Sequence, residues 1–377
     1  MAGVNSYKDG VITRLYKGLS GLIKSRNVTY VEGYGKLVSP NTVEVNGTQY
    51  TGKNVVLATG SYAKTLPGLD VDGKRVITSD HALNMDYVPK SAIVLGGGVI
   101  GCEFASVWKS FGAEVTIIEA LPRLVALEDE SSSKQLERAF RKRKIEFEVG
   151  SRFKSHTVND DSVTVTLEND KSFTAEVLLV AVGRGPVSAG IGYEEQGIKM
   201  DRGYVLVDNK CRTNVPGIWA VGDLIPTLQL AHVGFQEGIL VAEEIAGLNP
   251  RPINYDGVPR VTYSEPEVAS VGLSTATAKE RGYDVVEISY DLAGNGKSQI
   301  LKTAGSVKLV AQKNGPVLGV HMVGDRVGEL LAEAQLIFNW EANADDVAPL
   351  IHAHPTMSEA MGEAFLALAG KPLHAHG

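Results

Sequence analysis

A chain of 377 residues with 37 Lys and Arg against 44 Asp and Glu carries a net charge of −7 and no basic block that would track a phosphate backbone, which argues against nucleic acid as a partner. It has no apolar run of about 18 residues, and its start, MAGVNSYKDG, lacks a charged-then-apolar signal pattern, so a cytoplasmic protein with no membrane partner is expected. At roughly 150 residues per domain the length predicts two or three domains. The two cysteines, Cys102 and Cys211, fit neither a disulfide framework nor a zinc site, and they read as small buried hydrophobes.

Residues 7 to 26 repeat apolar positions at helical spacing (Val11, Ile12, Leu15, Tyr16, Leu19, Leu22, Ile23), which predicts an amphipathic helix. Short alternating runs follow, with Asn46-Gly47 as a hairpin turn between TVEV and TQY. VVLATG is different: it is continuously apolar and ends in small residues, as a buried parallel strand does where its carboxyl end meets a ligand. From residue 91 the pattern is strand, Gly-rich turn, helix, strand, then a helix over 129 to 144 and the strand IEFEVG. SVTVTLEND and SFTAEVLLVAVG predict an alternating hairpin, and GIWAVGD is another apolar strand. A helix begins near QLAHVGFQEG, GSVKLVAQK and VLGVHMVG form an antiparallel pair, and the Ala-rich final segment is helical.

Gly96, Gly98 and Gly101 form G-x-G-x-x-G between a strand and a helix, and Glu119 ends the next strand. That is close to the spacing of roughly 20 expected for an acid that bonds ribose hydroxyls. The first glycine makes the turn, the second lets a pyrophosphate approach the backbone, and the third packs helix on strand. A carboxylate at 119 favours NAD over a 2′-phosphorylated cofactor. Glu103, inside the helix, either belongs to this site or complements the helix dipole. Asp223, after IWAVG, either accepts bonds from a sugar alcohol or caps the following turn. The N–H groups starting the helix of LQLAHVGFQEG suit an anion such as a reduced flavin. HAHPTMSEA places His354 five residues before Glu359. If a helix starts just after Pro355, Glu359 reaches back to Nδ1 of His354 and makes an acid–base pair; the other reading is a helix start capped by Thr356 or Ser358.

Together these residues resemble the pyridine nucleotide-disulfide oxidoreductase family. The resemblance is carried by Ala58-Thr59-Gly60, GGGVIG with Glu103 and Glu119, Gly183 in AVGRGP, TNVPGIWAVGD, LAHVGFQEG and HAHPTMSE, in order from about residue 5 to the end. It implies an α/β fold: two interleaved Rossmann-like domains, for FAD and NAD, plus a C-terminal α+β dimerisation domain. The implied boundaries are 1–81 and 211–256 for FAD, 82–210 for NAD and 257–377 for the interface of a homodimer. The implied cofactors are FAD (Thr59, Gly60, Asp223, Ala231, His232) and NAD (Gly96, Gly98, Gly101, Glu103, Glu119, Gly183). Similarity is strongest to members that oxidise dihydrolipoamide on the lipoyl domains of 2-oxo acid dehydrogenase complexes. There, His354 with Glu359 would take the thiol proton across the dimer interface. Other implied readings are a related flavoreductase, such as a mercuric or glutathione reductase, and a dimeric NAD-binding remnant without catalysis.

One part of the family pattern is missing. The family opens with a first G-x-G-x-x-G unit for FAD and a Cys-x4-Cys redox pair, neither of which occurs in these residues, and no second cysteine lies near Cys102. The expectation is that the first FAD half-domain, on the order of 100 residues, is absent. It would be absent through a truncated gene product, a deliberately shortened chain, or completion by another polypeptide, and the chain alone is expected to be inactive.

Overall fold

In the computed structural model, which describes residues 1–374, the run SAIVL becomes the strand Ser91–Leu95, buried over its last four residues. It is the middle strand of a parallel sheet ordered Val76–Ile77, Val177–Val180, Ser91–Leu95, Glu114–Ile118, Ile145–Glu148. Both faces of such a sheet are covered, which is why its strands read as unbroken apolar runs. The Gly-rich turn feeds the helix Val99–Ser110, and the helix Glu130–Lys142 precedes the last strand.

SFTAEVLLVAVG is not a single hairpin strand. Ser172–Ala175 pairs with Val163–Leu167 in an antiparallel sheet that also holds Phe153–Val158, whereas Val177–Val180 enters the parallel sheet. Glu176 marks the junction: its carboxylate accepts from the Lys90 N–H at 2.7 Å and its own N–H donates to Ser91 Oγ at 3.1 Å. Alternating burial before it and continuous burial after it therefore belong to two different sheets.

The chain divides into two units. The first comprises Met1–Lys64, Asn84–Tyr87 and Gly183–Tyr255. It holds the helix Ala2–Ser25, which starts five residues before the predicted one, and an antiparallel sheet of Gly35–Ser39, Thr42–Val45 and Thr48–Thr51. Asn46 and Gly47 both have positive φ, 52° and 79°, as a two-residue turn between twisted strands requires. VVLATG gives only a three-residue strand, Val55–Leu57, parallel to Ile218–Ala220. Of these three residues Leu57 alone is buried, and Val56 is 44% exposed, so the expectation of a fully buried strand fails. The helix Ala231–Ile245 packs Leu240 and Val241 into a core with Leu57, Ile218 and Ala220.

The second unit comprises Thr65–Leu83, Val88–Val182 and the chain from Asp256 onward. Beside the parallel sheet it holds an antiparallel one, ordered Arg260–Thr262, Glu267–Gly272, Val317–Gly324, Ser306–Gln312, Val285–Asp291. Side chains alternate across it. Ala269, Val271, Val307, Leu309, Val320 and Met322 share a core with Leu331 of the helix Val327–Asn339 and Phe365 of the helix Glu359–Leu368. The other face carries a polar row, Arg260, Ser270, His321 and Lys308, directly opposite one another on four strands.

Glu128 and Asp129, at the start of the helix Glu130–Lys142, dock on that row. Glu128 accepts from Ser270 Oγ at 2.5 Å and pairs with Arg260 Nε at 3.4 Å. Asp129 caps the helix by accepting from the Ser131 N–H at 3.0 Å, and it pairs with Lys308 Nζ at 3.0 Å. Burial alone would raise the Asp129 carboxyl, but bonds from Ser131 and Lys308 outweigh it and hold the group far below the ordinary range. Burial pushes the His321 imidazole down; its Nε2 lies 2.9 Å from the Leu273 carbonyl, and Nδ1 has no partner.

The helix Ala2–Ser25 has no buried residue and contains Gly3, Gly10, Gly18 and Gly21, so little packing supports it. Trypsin is expected to cut within it before any site in the C-terminal sheet, as mass spectrometry of early fragments will show. Because the Asp129 pKa is depressed by folding, its stabilisation is present above about pH 4, the unfolded value, and is lost as pH falls through the folded value. Asp129→Asn should therefore destabilise the protein in urea at pH 7, by about 3 kcal/mol, and differ less from wild type as the pH drops below about 4.

Candidate functional site

The fingerprint turn is held by contacts only glycine permits. Gly96 has φ +115°, and a Cβ there would strike the Ala181 carbonyl oxygen; a Cβ at Gly101 would strike the carbonyl oxygen of Gly96. Gly98 is the reverse case: it is the N-cap of Val99–Ser110, and a Cβ would meet nothing within 4 Å. Open space at a helix N-terminus with oriented N–H groups is what a pyrophosphate needs.

Glu119 reaches back to this turn. One carboxylate oxygen accepts from the Gly97 N–H at 2.6 Å and the other from the Leu121 N–H at 2.7 Å. A carboxylate has about four acceptor positions, so two remain for further donors. Glu103 Oε1 accepts from the Tyr263 N–H at 2.8 Å, and burial raises its carboxyl. Glu103 therefore ties its helix to the residue that follows the strand Arg260–Thr262 and keeps its second oxygen for other partners. Gly183, with φ +114°, falls in the first unit, where its carbonyl accepts from the Lys64 N–H.

In the first unit, Thr59 Oγ1 donates to the Val187 carbonyl at 2.5 Å, and Gly60 adopts φ +71° with no atom within 4 Å of a Cβ. Asp223 Oδ2 accepts from Ser61 Oγ at 2.5 Å and lies 3.9 Å from Arg184 Nε. Asp223 sits in a turn fixed by Glu237, whose buried carboxylate accepts from the Gly222 N–H (2.6 Å), Thr227 Oγ1 (2.9 Å) and Tyr255 Oη (2.9 Å). Ala231 opens the helix, which has no side-chain cap, and His232 follows on its exposed first turn. The sequence reading passed over Glu237 and Arg184. A carboxylate among apolar helix residues was the available signal for Glu237; Arg184 gave none.

His354 Nδ1 stands 2.9 Å from Glu359 Oε1, and the imidazole is 77% exposed. The helix does not begin just after Pro355: it runs Glu359–Leu368, and its N-cap, Ser358, makes no side-chain cap bond. The second Glu359 oxygen takes the Thr356 N–H at 2.8 Å instead, so one carboxylate orients the imidazole and closes the turn before the helix. Burial would raise Glu359, but the Thr356 N–H and the His354 ring hold it low and ionised. An ionised carboxylate only accepts, so Nδ1 carries the proton and Nε2 is left as the base. A neighbouring pair was also missed: His352 Nε2 lies 2.9 Å from Glu333 Oε1.

Both cysteines are buried free thiols, as expected. Burial and the Glu119 and Glu103 charges push Cys102 up, and burial pushes Cys211 up to about 12. Neither is a thiolate at neutral pH. Among the described residues no helix is long and apolar enough to cross a membrane.

Comparison with known proteins places the chain in a family. Residues 2–238 match the model of pyridine nucleotide-disulphide oxidoreductases, and residues 258–365 match the dimerisation domain of the same family. The chain is 39% identical to dihydrolipoyl dehydrogenase 1 (mitochondrial) of Arabidopsis thaliana, covering 97% of this chain and 75% of that one. It is also 39% identical to the dihydrolipoyl dehydrogenase of Bacillus subtilis, covering 98% and 82%. The solved structure of LpdA from Mycobacterium tuberculosis superposes with a TM-score of 0.90 at 25% identity, over 97% of this chain and 83% of that one. These coverages do not by themselves support the truncation inferred from the sequence. The chain belongs to the pyridine nucleotide-disulphide oxidoreductase family.

Proposed function

We propose that the protein acts as a dihydrolipoyl dehydrogenase, oxidising dihydrolipoamide with NAD as acceptor, in a homodimer that uses FAD and serves the lipoyl domains of 2-oxo acid dehydrogenase complexes. The observation that carries this reading is the exposed His354–Glu359 pair in a chain that also has an intact dinucleotide turn. The relatives named dihydrolipoyl dehydrogenase support the substrate. In this reading the FAD domain is 1–81 with 211–256, the NAD domain 82–210 and the interface domain 257–377, and the site is cytoplasmic.

The chain's own residues have distinct tasks. Glu119 and the Gly96, Gly98 and Gly101 backbone would hold the ribose and pyrophosphate of NAD; Glu103 and Gly183 are further candidates for binding it. Thr59, Gly60, Asp223, Ala231 and His232 hold FAD; Glu237 keeps the Asp223 turn in place, and the uncapped helix start offers N–H groups to an anion. The chemistry that a bound FAD would supply is two-electron transfer between the dithiol side and NAD. Nε2 of His354 accepts the proton of a dihydrolipoamide thiol in the partner's site, and Glu359 holds the ring in the accepting tautomer and stabilises the cation. The attacked disulfide is not formed by Cys102 and Cys211, which are buried in separate units.

NADH should bind saturably to the chain as it stands, and Glu119→Ala should weaken it about tenfold or more by calorimetry, the loss expected for hydrogen bonds to a charged group. His354→Gln should leave that affinity unchanged. Dihydrolipoamide-dependent NAD reduction by the dimeric holoenzyme should be abolished by His354→Gln; turnover that survives the substitution would overturn the role of His354.

A further inference from the structure

The Gly-rich turn is not fixed by its own helix and strand alone. The Gly97 carbonyl accepts from the Val125 N–H at 2.8 Å and from Cys102 Sγ at 3.4 Å, and Leu124 packs beneath Gly97. In a trans peptide the N–H points opposite to the C=O, so fixing the Gly97 carbonyl aims the Gly98 N–H. The orientation of the Gly98 N–H, at an exposed position of the turn, thus depends on where Val125 sits.

Val125 sits where a β-branched residue rarely does. It is buried and adopts φ +42°, in the left-handed region that costs about 1–3 kcal/mol and persists only where the surroundings over-determine it. Its carbonyl accepts from the Glu128 N–H at 2.8 Å and from Ser133 Oγ at 3.4 Å. Glu128 and Asp129 are in turn pinned to the Arg260–Ser270–His321–Lys308 row, where the Asp129 and Lys308 side chains are only 3% and 11% exposed.

We propose that the Glu128–Asp129 clamp on this row, with Lys308 and Ser270 as positioning residues, holds Val125 and hence the Gly97–Gly98 peptide in its dinucleotide-binding orientation, making the C-terminal sheet part of the NAD site. The proposal rests on the dinucleotide reading of the fingerprint. The row's side chains act through backbone geometry, as positioning residues. Truncating Lys308 leaves Asp129 a buried, under-paired carboxylate that pulls away from the sheet and releases Val125 to an unstrained conformation.

The test is the NADH dissociation constant by calorimetry, read beside the melting temperature, for the full chain and four variants. Lys308→Met should weaken NADH about three- to thirtyfold, the range of couplings carried through packed networks, and Lys308→Arg, which keeps the charge, should restore most of it. Ser270→Ala, a milder change that leaves Glu128 with Arg260 alone, should weaken NADH about threefold and serves if Lys308→Met fails to fold. Val320→Ala, in the core on the opposite face of the same sheet, should lower the melting temperature with NADH affinity unchanged. Wild-type affinity in Ser270→Ala or Lys308→Met, alongside a lowered melting temperature, would overturn the positioning role. Absence of saturable NADH binding by the unmodified chain would instead defeat the dinucleotide reading, and this proposal with it.

Discussion

Two adjacent carboxylates lodged against a sheet, Glu128 and Asp129 on the Arg260–Ser270–His321–Lys308 row, are the interaction on which the second unit depends. Taking charges out of water costs several kcal/mol per ion and is tolerated only where every charge is paired and the remaining lone pairs are bonded. That condition is nearly met. Glu128 has an arginine and a hydroxyl; Asp129 has a lysine, a hydroxyl and the backbone N–H groups of Ser131 and Thr275. The bare Nδ1 of His321 is the exception, and a ring kept neutral by burial lowers its cost. Such a seam specifies position more than it adds stability, because a one-residue slip of any of the four strands would turn that strand's partner to the opposite face.

The same economy governs the histidine site. Glu359 has two oxygens and two tasks, one bond to the imidazole and one to the Thr356 N–H, so the group that sets the tautomer is itself fixed by the backbone it caps. Asn295 supports the loop from the other side: its amide donates to the Thr356 carbonyl at 3.1 Å while its oxygen caps the helix Gly296–Leu301. A base held this way keeps one ring nitrogen committed and the other exposed, and proton transfer requires both. The Asp223 turn is built on the same principle, with Glu237 buried and bonded to three donors so that Asp223 projects from a fixed backbone.

The sequence by itself determined the parts whose physics is local. G-x-G-x-x-G between a strand and a helix left no other residue type for the contacts at Gly96 and Gly101, since a Cβ at either would strike backbone oxygen. Glu119 was placed at the turn by strand length alone, and the five-residue spacing of His354 and Glu359 allowed the bond that forms. Tertiary structure decided what period and composition cannot encode. It split SFTAEVLLVAVG between two sheets, because alternation describes one strand's faces and not its neighbours. It also left VVLATG mostly uncovered, because an apolar strand is buried only if something packs on it. And it joined Asp129 to Lys308, 179 residues apart, a pairing that no local spacing signals and that arises only when two sheets and a helix start converge.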